Sequence, residues 1–276
     1  MSNRDSYPNF IILGAAKAGT TALYHYLKQH PDIYMSPLKE TNYFALAGEA
    51  LDFCGPGDAD YVNCMSITTP EAYRAQFDGV QGEKAVGEAS PLYLYNPRAA
   101  QRIKDAVPDT KLLAILRNPV DRAYSAFLHL VRDNRETTRD FATALSLENE
   151  RIEANFEHIW HYISMGRYYE QVKRYYDRFD GEQIKVSLYV DLRTEPQRVL
   201  RETFEFLGLD SNFAPDTQTR YNEASLPLDQ RPPLLTEVRQ RLQNELRDDI
   251  LKLQDLIGRD LSHWLITECA EKFANV

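Results

Sequence analysis

A short apolar run that ends in glycine and leads into a helix most constrains the fold of this chain. Residues 9–13 read NFIIL, which is typical of a buried strand, and a helical spacing of apolar residues begins at Thr20. The connecting loop, GAAKAGTT, runs from Gly14 to Thr21. Backbone N–H groups at a helix start are unpaired and partly positive, and small residues let an anion approach them. The loop therefore predicts a phosphate site, to which Lys17 adds a full charge.

The loop resembles a Walker A motif but departs from it in one respect. That motif, G-x-x-x-x-G-K-[ST], places its lysine directly after the last glycine. Here Thr20 follows Gly19, and the lysine stands two residues before that glycine. The apolar run 111–116 leads into Arg117 rather than into a Walker B aspartate. A P-loop kinase or NTPase is therefore an alternative interpretation, and a non-catalytic nucleotide-binding module is a third.

Further apolar runs alternate with helical patterns along the chain. Residues 85–89, 111–116 and 184–190 predict strands, and helical patterns follow the last two. Such alternation predicts a parallel sheet with right-handed crossovers. We therefore expect an α/β chain with a P-loop-like three-layer fold, in which helices flank a central, mostly parallel sheet. We expect one domain over residues 1–276.

The rest of the chain predicts helices and two long irregular segments. The helical segments are 141–163, 195–207, 234–257 and 167–179, the last with an aromatic stripe that favours a place in the core. The irregular segments are 47–69, expected at the surface, and 217–233. Cys54 and Cys64 lie in the first of them and are expected to be reduced, with a bridge between them as the alternative.

The charge balance limits the partners. The chain has 32 Lys and Arg against 41 Asp and Glu, so its net charge is −9. A nucleic-acid binder needs a basic face, so we expect no nucleic-acid partner. The first ten residues lack the apolar region of a signal peptide, and no apolar run approaches the roughly 20 residues of a membrane span. We expect a cytoplasmic protein with no membrane partner, and no metal, because no His stands at ligand spacing beside Cys54 or Cys64.

Taken together, the motifs resemble the sulfotransferase family that uses 3′-phosphoadenosine-5′-phosphosulfate (PAPS), in particular its heparan-sulfate-type and bacterial branch. The first motif is G-x-x-K-x-G-T-T and its helix, followed by KETNYF at 39–44. The second is RNPVDRAYS, from Arg117 to Ser125. The likeness extends over almost the whole chain. It implies an enzyme that moves the sulfuryl group of PAPS to a hydroxyl or an amine, releases 3′,5′-ADP and uses no metal.

The resemblance also implies roles for particular residues. Lys17 and Glu40 are the implied catalytic residues, the first to neutralise the leaving group and the second to act as base. The implied cofactor-binding residues are Lys17, Ala18, Gly19, Thr20 and Thr21 for the 5′-phosphate, and Arg117 and Ser125 for the 3′-phosphate. The residues expected to support the acceptor are Glu88, Tyr43 and His161.

A carboxylate base that works near neutrality needs a pKa above its usual value of about 4.3. We expect the neighbouring Tyr43 and Phe44 to raise the pKa of Glu40 by partial burial. A histidine base is the alternative, with His158 and His161 as its candidates. Arg122 of the second motif is as well suited to a structural pair as to a ligand contact.

Two departures from the heparan-type pattern bear on the acceptor. Ala89 stands where those enzymes often have a second catalytic lysine, and the segment 220–233 has no cysteine to close a loop over the nucleotide. Arg220, Asn222 and Arg231 of that segment are weak candidates for nucleotide contacts. These departures favour a small-molecule acceptor over a polysaccharide.

Overall fold

Five parallel strands form one sheet in a computed structural model that describes residues 7–219, 221 and 226–266. The strands are β1 (Phe10–Gly14), β2 (Ile33–Met35), β3 (Ala85–Ala89), β4 (Lys111–Leu116) and β5 (Ile184–Leu188). Their order is β2–β3–β1–β4–β5, and every neighbouring pair is parallel. All five residues of β1 are buried, as a central strand between two helical layers requires. The predicted three-layer α/β fold is confirmed.

Thirteen α-helices lie within the described residues. They are α1 (Thr20–Leu27), α2 (Tyr43–Leu46), α3 (Val62–Met65), α4 (Pro70–Arg74), α5 (Leu92–Tyr95), α6 (Ala99–Ala106), α7 (Pro119–Arg132), α8 (Phe141–Ser146), α9 (Glu148–Glu153), α10 (Tyr168–Tyr176), α11 (Tyr189–Thr194), α12 (Pro196–Leu207) and α13 (Thr236–Ile257). None of the described helices combines the length and the apolar composition that a bilayer crossing needs.

Helices with one apolar face make up the outer layers. The predicted aromatic stripe of α10 is buried, with Tyr168, Val172 and Tyr175 each no more than 2% exposed. It packs against α13, whose buried residues recur at helical spacing. Pro119 begins α7 and the Asn118 side chain accepts from the Val120 N–H, so this helix has a fixed start directly after β4.

Some local predictions were wrong. β2 was not predicted, and β5 ends at Leu188 rather than at residue 190, because α11 begins at Tyr189. The predicted helical segment 141–163 is broken into α8, α9 and a 3₁₀ turn at His158–Trp160. Cys54 and Cys64 are free and exposed, so the alternative of a bridge is also wrong.

All five strands direct their carboxyl ends to one edge of the sheet, where the predicted motifs lie, and Glu40 lies on the loop after β2. The first loop follows β1, Ser90 follows β3, Arg117 follows β4, and Tyr189 follows β5. Ligands of open α/β sheets bind outside the carboxyl ends of the strands, near the point where the connections change direction. In this sheet β1 is that point, because the chain leaves it towards β2 on one side and later reaches β4 on the other.

Candidate active site

The loop after β1 opens the start of α1 towards the carboxyl edge of the sheet. Its Ala15 N–H donates to the Ile115 carbonyl of β4 at 2.8 Å, which holds the loop against the neighbouring strand. Gly19 precedes α1 with a φ of 95°, and no side chain caps the helix. A Cβ at Gly19 would lie 3.0 Å from Cδ2 of Tyr189, so only glycine fits this turn closely. A helix start without a side-chain cap is a common position for an anion.

The residues predicted to bind the 5′-phosphate differ in their exposure and in the hydrogen bonds that they already make. Thr20 and Thr21 form the first turn of α1, Thr20 being 4% exposed and Thr21 half-buried. Ala18 is fully buried, and its N–H already donates to the Ala15 carbonyl at 3.2 Å. Its predicted contact with the nucleotide is therefore the least supported of the set and stays a prediction.

Cationic side chains from two motifs meet behind this loop. Nη1 of Arg117 donates to the Lys17 carbonyl at 3.1 Å, and the guanidinium lies 4.7 Å from the centre of the Tyr189 ring. Burial, together with the charges of Arg132 and Arg117, lowers the pKa of Lys17 to about 8. The positive charges of Lys17, Arg117 and Arg132 repel one another, so binding of an anion among them would be favourable.

One face of α7 continues the site from the second motif. Ser125 is half-buried, and His129 and Arg132 follow it at positions i+4 and i+7. Nη2 of Arg132 lies 2.7 Å from Nδ1 of His129, so that ring nitrogen is the acceptor. Burial and the Lys17 charge lower the pKa of His129 to about 4, which keeps the ring neutral. His129 was not predicted from the sequence, although its helical spacing from Ser125 was an available signal.

Glu40 is close enough to Lys17 for their charges to interact, and it lies on a loop with a left-handed backbone. Its φ is 68°, its side chain is 52% exposed, and it pairs with Lys39. Partial desolvation raises the pKa of Glu40, but the charges of Lys39 and Lys17 outweigh this effect and hold the pKa below its ordinary value. The predicted rise in the pKa of Glu40 is therefore wrong. Phe44 is buried in the core, and Tyr43 stacks on Tyr73 with the ring centres 4.3 Å apart.

A fully buried carboxylate fixes the loop that carries Glu40. Glu88 of β3 is 0% exposed and accepts four hydroxyl hydrogen bonds of 2.7 to 2.9 Å, from Thr41, Tyr73, Ser90 and Tyr93. The same network reaches the backbone, since Ser90 Oγ accepts from the Asn42 N–H at 3.1 Å. Burial raises the pKa of Glu88, although the hydroxyl donors oppose this. Glu88 therefore holds the loop, and its predicted support of the acceptor would act through Thr41 and Asn42.

We expect Glu88→Leu to lower the free energy of unfolding by about 3 kcal/mol or more, because each buried donor left without a partner costs about 1–3 kcal/mol. Urea denaturation measures the change. Glu153→Leu on the exposed end of α9 is the matched control and should change stability by less than about 1 kcal/mol. If Glu88→Leu were as mild as its control, the network would not stabilise the loop.

Between Glu40 and the end of α7 lies a cleft of about 290 Å³. Its apolar lining comes from four parts of the chain, namely Ala16 and residues within 61–65, 91–92 and 159–165. Its polar lining is Lys39, Glu40, Asn42, Ser66, His129, Arg135, Glu157 and His158. The predicted surface segment 47–69 thus supplies one wall of the cleft. A volume of this size is close to the lower end of small-molecule sites.

Other predicted residues lie outside the cleft. His161 is 7% exposed, and its Nδ1 lies 2.9 Å from the Tyr95 hydroxyl. Tyr43 and His161 do not line the cleft, whereas His158 does. Burial lowers the pKa of His158 to about 3 and also lowers that of His161, so neither is suited to accept a proton near neutrality. Their predicted contacts with the acceptor stay predictions.

The remaining candidates concern the second motif and the late loop. Arg122 is fully buried and donates to the Tyr162 carbonyl, which places it in a structural role. Arg231 donates to the Leu226 carbonyl at 2.8 Å, while Arg220 and Asn222 lie outside the described residues. Within the described ranges, no cluster of three or more His, Cys, Asp or Glu side chains is arranged to hold a metal ion.

Comparison with known proteins finds a family model and a solved structure that match most of this chain. A family model described as "Sulfotransferase domain" matches residues 7–226. The crystal structure of a sulfotransferase from Alicyclobacillus acidocaldarius is 45% identical to this chain, with a TM-score of 0.83, and the match covers 94% of this chain and 98% of that one.

Curated relatives are more distant. The membrane-associated sulfotransferase kil1 of Dictyostelium discoideum is 23% identical over 92% of this chain and 66% of its own length. The bifunctional heparan sulfate N-deacetylase/N-sulfotransferase 1 of Caenorhabditis briggsae is 26% identical over 80% of this chain and 25% of its own length. The chain thus spans just under two thirds of the first relative and a quarter of the second.

Proposed function

The chain belongs to the sulfotransferase family, and we propose that it transfers the sulfuryl group of PAPS to a hydroxyl or an amine of a small-molecule acceptor and releases 3′,5′-ADP. The observation that carries the proposal is the bond from Arg117 to the Lys17 carbonyl, 3.1 Å long. It joins a cation after β4 to a cation after β1, beside the start of α1.

Two anion sites at neighbouring strand ends suit a nucleotide with phosphate on both its 3′ and 5′ sides. The α1 start, Lys17, Thr20 and Thr21 would hold the 5′-phosphate, and Arg117 with Ser125 would hold the 3′-phosphate. The crowding of Lys17 by Arg132 and Arg117 supports this fit, because a bound dianion would relieve the repulsion. ATP fits less well, since its phosphates form one chain, and the kinase alternative has no support from the family.

The two catalytic roles follow from the side chains on either side of the acceptor position. Lys17 would stabilise the negative charge that develops on the leaving phosphate oxygen. Glu40 would accept the proton of the acceptor as the acceptor's oxygen or nitrogen bonds to sulfur and the bond from sulfur to 3′,5′-ADP breaks. Because Lys39 and Lys17 hold the pKa of Glu40 low, this carboxylate is ionised at neutral pH, as a proton acceptor has to be, although the low pKa also makes it a weaker base.

The size and the lining of the cleft support a small acceptor. Its walls are apolar and polar in similar parts, and no run of basic side chains along the described lining would match a polyanion. Heparan sulfate, named for the Caenorhabditis relative, is such a polyanion. The cytoplasmic location expected from the sequence stays a prediction.

Calorimetry with three nucleotides tests the donor. We expect the protein to bind 3′,5′-ADP more tightly than 5′-ADP or ATP, without magnesium. Tight binding of ATP together with magnesium-dependent hydrolysis, and no binding of 3′,5′-ADP, would contradict the proposed donor.

Arg117→Ala separates the two phosphate sites. We expect this variant to lower the affinity for 3′,5′-ADP by about 10- to 100-fold, because a charge-assisted hydrogen bond contributes about 1.5–3 kcal/mol. The affinity for 5′-ADP, which lacks the 3′-phosphate, should change little. Arg193→Ala, on the exposed side of α11, is the control. An equal loss for both nucleotides would remove Arg117 from the 3′-phosphate site.

A further inference from the structure

A second carboxylate faces the acceptor cleft beside Glu40. Glu157 lines the cleft, and its side chain is 15% exposed. One oxygen, Oε1, accepts from Nη2 of Arg135 at 2.8 Å. No residue in the described part of the chain bonds the other oxygen, Oε2. Half of this carboxylate is therefore left to meet a ligand.

The charge around Glu157 is not balanced by the protein. Arg135 pairs with both Glu157 and Asp58, and Asp58 is 0% exposed. One guanidinium thus serves two carboxylates. Burial raises the pKa of Glu157 to about 7 against the opposing effect of Arg135, and the charges of Asp58 and Glu40 add to the rise. One more positive charge beside Glu157 would restore the balance.

No other cation on the described lining can supply that charge. Lys39 and Arg135 are the cations of the cleft, and Lys39 pairs with Glu40. His129 and His158 are neutral, since their pKa values are lowered to about 4 and about 3. Above pH 7, where Glu157 is ionised, the compensating charge is left for a bound molecule to supply.

The mouth of the cleft indicates the rest of that molecule. Tyr61 and Met65 are 51% and 53% exposed at this mouth, although both are apolar or aromatic. The Tyr61 ring also packs against the Arg135 guanidinium, whose central carbon lies 5.1 Å from the centre of that ring. Exposed apolar side chains beside a concave site favour an apolar ligand body.

We propose that the acceptor is a small apolar molecule with a cationic amine, which pairs with Oε2 of Glu157 while a different group of the molecule is sulfated. The inference rests on the proposed function, because it assigns the acceptor class of the same site. Glu157 is thus a specificity-determining residue, and Glu40 keeps the role of base.

A matched pair of ligands tests the inference on the full chain saturated with 3′,5′-ADP. The probes are 4-(aminomethyl)benzyl alcohol and 4-methylbenzyl alcohol, which share a hydroxyl and a frame and differ in the ammonium group. We expect calorimetry at pH 8 to show at least tenfold tighter binding of the amine. Equal binding, preference for the neutral alcohol, or binding of neither would overturn the inference.

Glu157→Gln removes the charge and keeps an oxygen for Arg135. We expect this variant to bind both probes equally and to retain the affinity for 3′,5′-ADP and the wild-type Tm within a few degrees. Glu153→Gln on the exposed end of α9 is the control and should keep the preference. If Glu157→Gln still preferred the amine, Glu157 would not be the partner.

The pH dependence separates Glu157 from the other groups of the cleft. The preference for the amine should be present above pH 7 and fade as the pH falls through 7, because Glu157 takes up a proton there. Asp58, Arg135 and Glu40 face Glu157, and the pKa of Glu40 is lowered, so Glu40 does not titrate in this range. A preference that does not change between pH 8 and 6 would contradict the assignment.

Failure of this inference is distinct from failure of the proposed function. A protein that binds 3′,5′-ADP and sulfates acceptors regardless of their charge would overturn the inference alone. A protein that binds no 3′,5′-ADP would overturn the proposed donor.

Discussion

We expect Glu40→Gln to lower kcat by about 10²- to 10⁴-fold, the contribution typical of a general base, with little change in the affinity for 3′,5′-ADP. The amide keeps the shape of the side chain but cannot accept the proton of the acceptor. Glu40 lines the cleft, so its loss should affect the chemical step rather than nucleotide binding. Steady-state kinetics with saturating PAPS gives kcat, and calorimetry gives the nucleotide affinity.

Two controls keep this result interpretable. Glu153→Gln changes an exposed carboxylate far along the chain and should turn over like the wild type. A circular dichroism spectrum of Glu40→Gln should match the wild type, because the loop is held by Glu88 through Thr41 rather than by the Glu40 side chain. If Glu40→Gln retained wild-type kcat, another group would be the base and Glu40 would have no part in the chemical step.

The second large effect is expected from Lys17→Ala. Removing one preorganised donor at a developing negative charge typically costs about 10²- to 10³-fold in kcat, and we expect a loss of that size here. The affinity for 3′,5′-ADP should fall as well, because Lys17 also helps to hold the 5′-phosphate. Lys28→Ala, on the exposed residue after α1, is the matched control and should leave both quantities unchanged.

The pH profile gives an independent check on Lys17. Its pKa in the free protein is about 8, so Lys17 loses its charge as the pH rises through that value. We expect kcat/KM for PAPS to fall above about pH 8, since this parameter reports groups of the free enzyme. In Lys17→Ala the fall should disappear. A wild-type profile that stays level up to pH 10 would contradict the role of the Lys17 charge.

The fold could be predicted where a pattern is long or bounded by strong signals. Residues 85–89 and 111–116 were predicted as strands with the bounds that the structure has. β2 has only three residues, Ile33–Met35, too few for a periodic signal, and it forms through pairing with β3. The end of β5 was misplaced because Tyr189 and Val190 are as apolar as a strand, whereas tertiary packing begins α11 there.

For the site, motifs predicted which residues carry charge but not how the charges act on each other. Lys17 and Arg117 are 100 positions apart, and the pairing of β1 with β4 brings them within hydrogen-bonding distance. The direction in which the pKa of Glu40 shifts depends on how close the Lys39 and Lys17 side chains lie to it in space. The order of residues along the chain does not give these distances. Glu157 and Arg135 belong to no motif, and their place in the cleft follows from the turn after α9 and the end of α7.

Transfer of labelled sulfate tests the central claim most directly. The purified protein is incubated with [³⁵S]PAPS and a small-molecule extract of cells that produce it, and products are separated and identified by mass spectrometry. We predict labelled sulfate in at least one small molecule, with one 3′,5′-ADP formed for each sulfate transferred and no product from Glu40→Gln at the same exposure. Label that stays in PAPS, or that enters only polysaccharide when the extract is supplemented with it, would contradict the proposed transfer to a small-molecule acceptor.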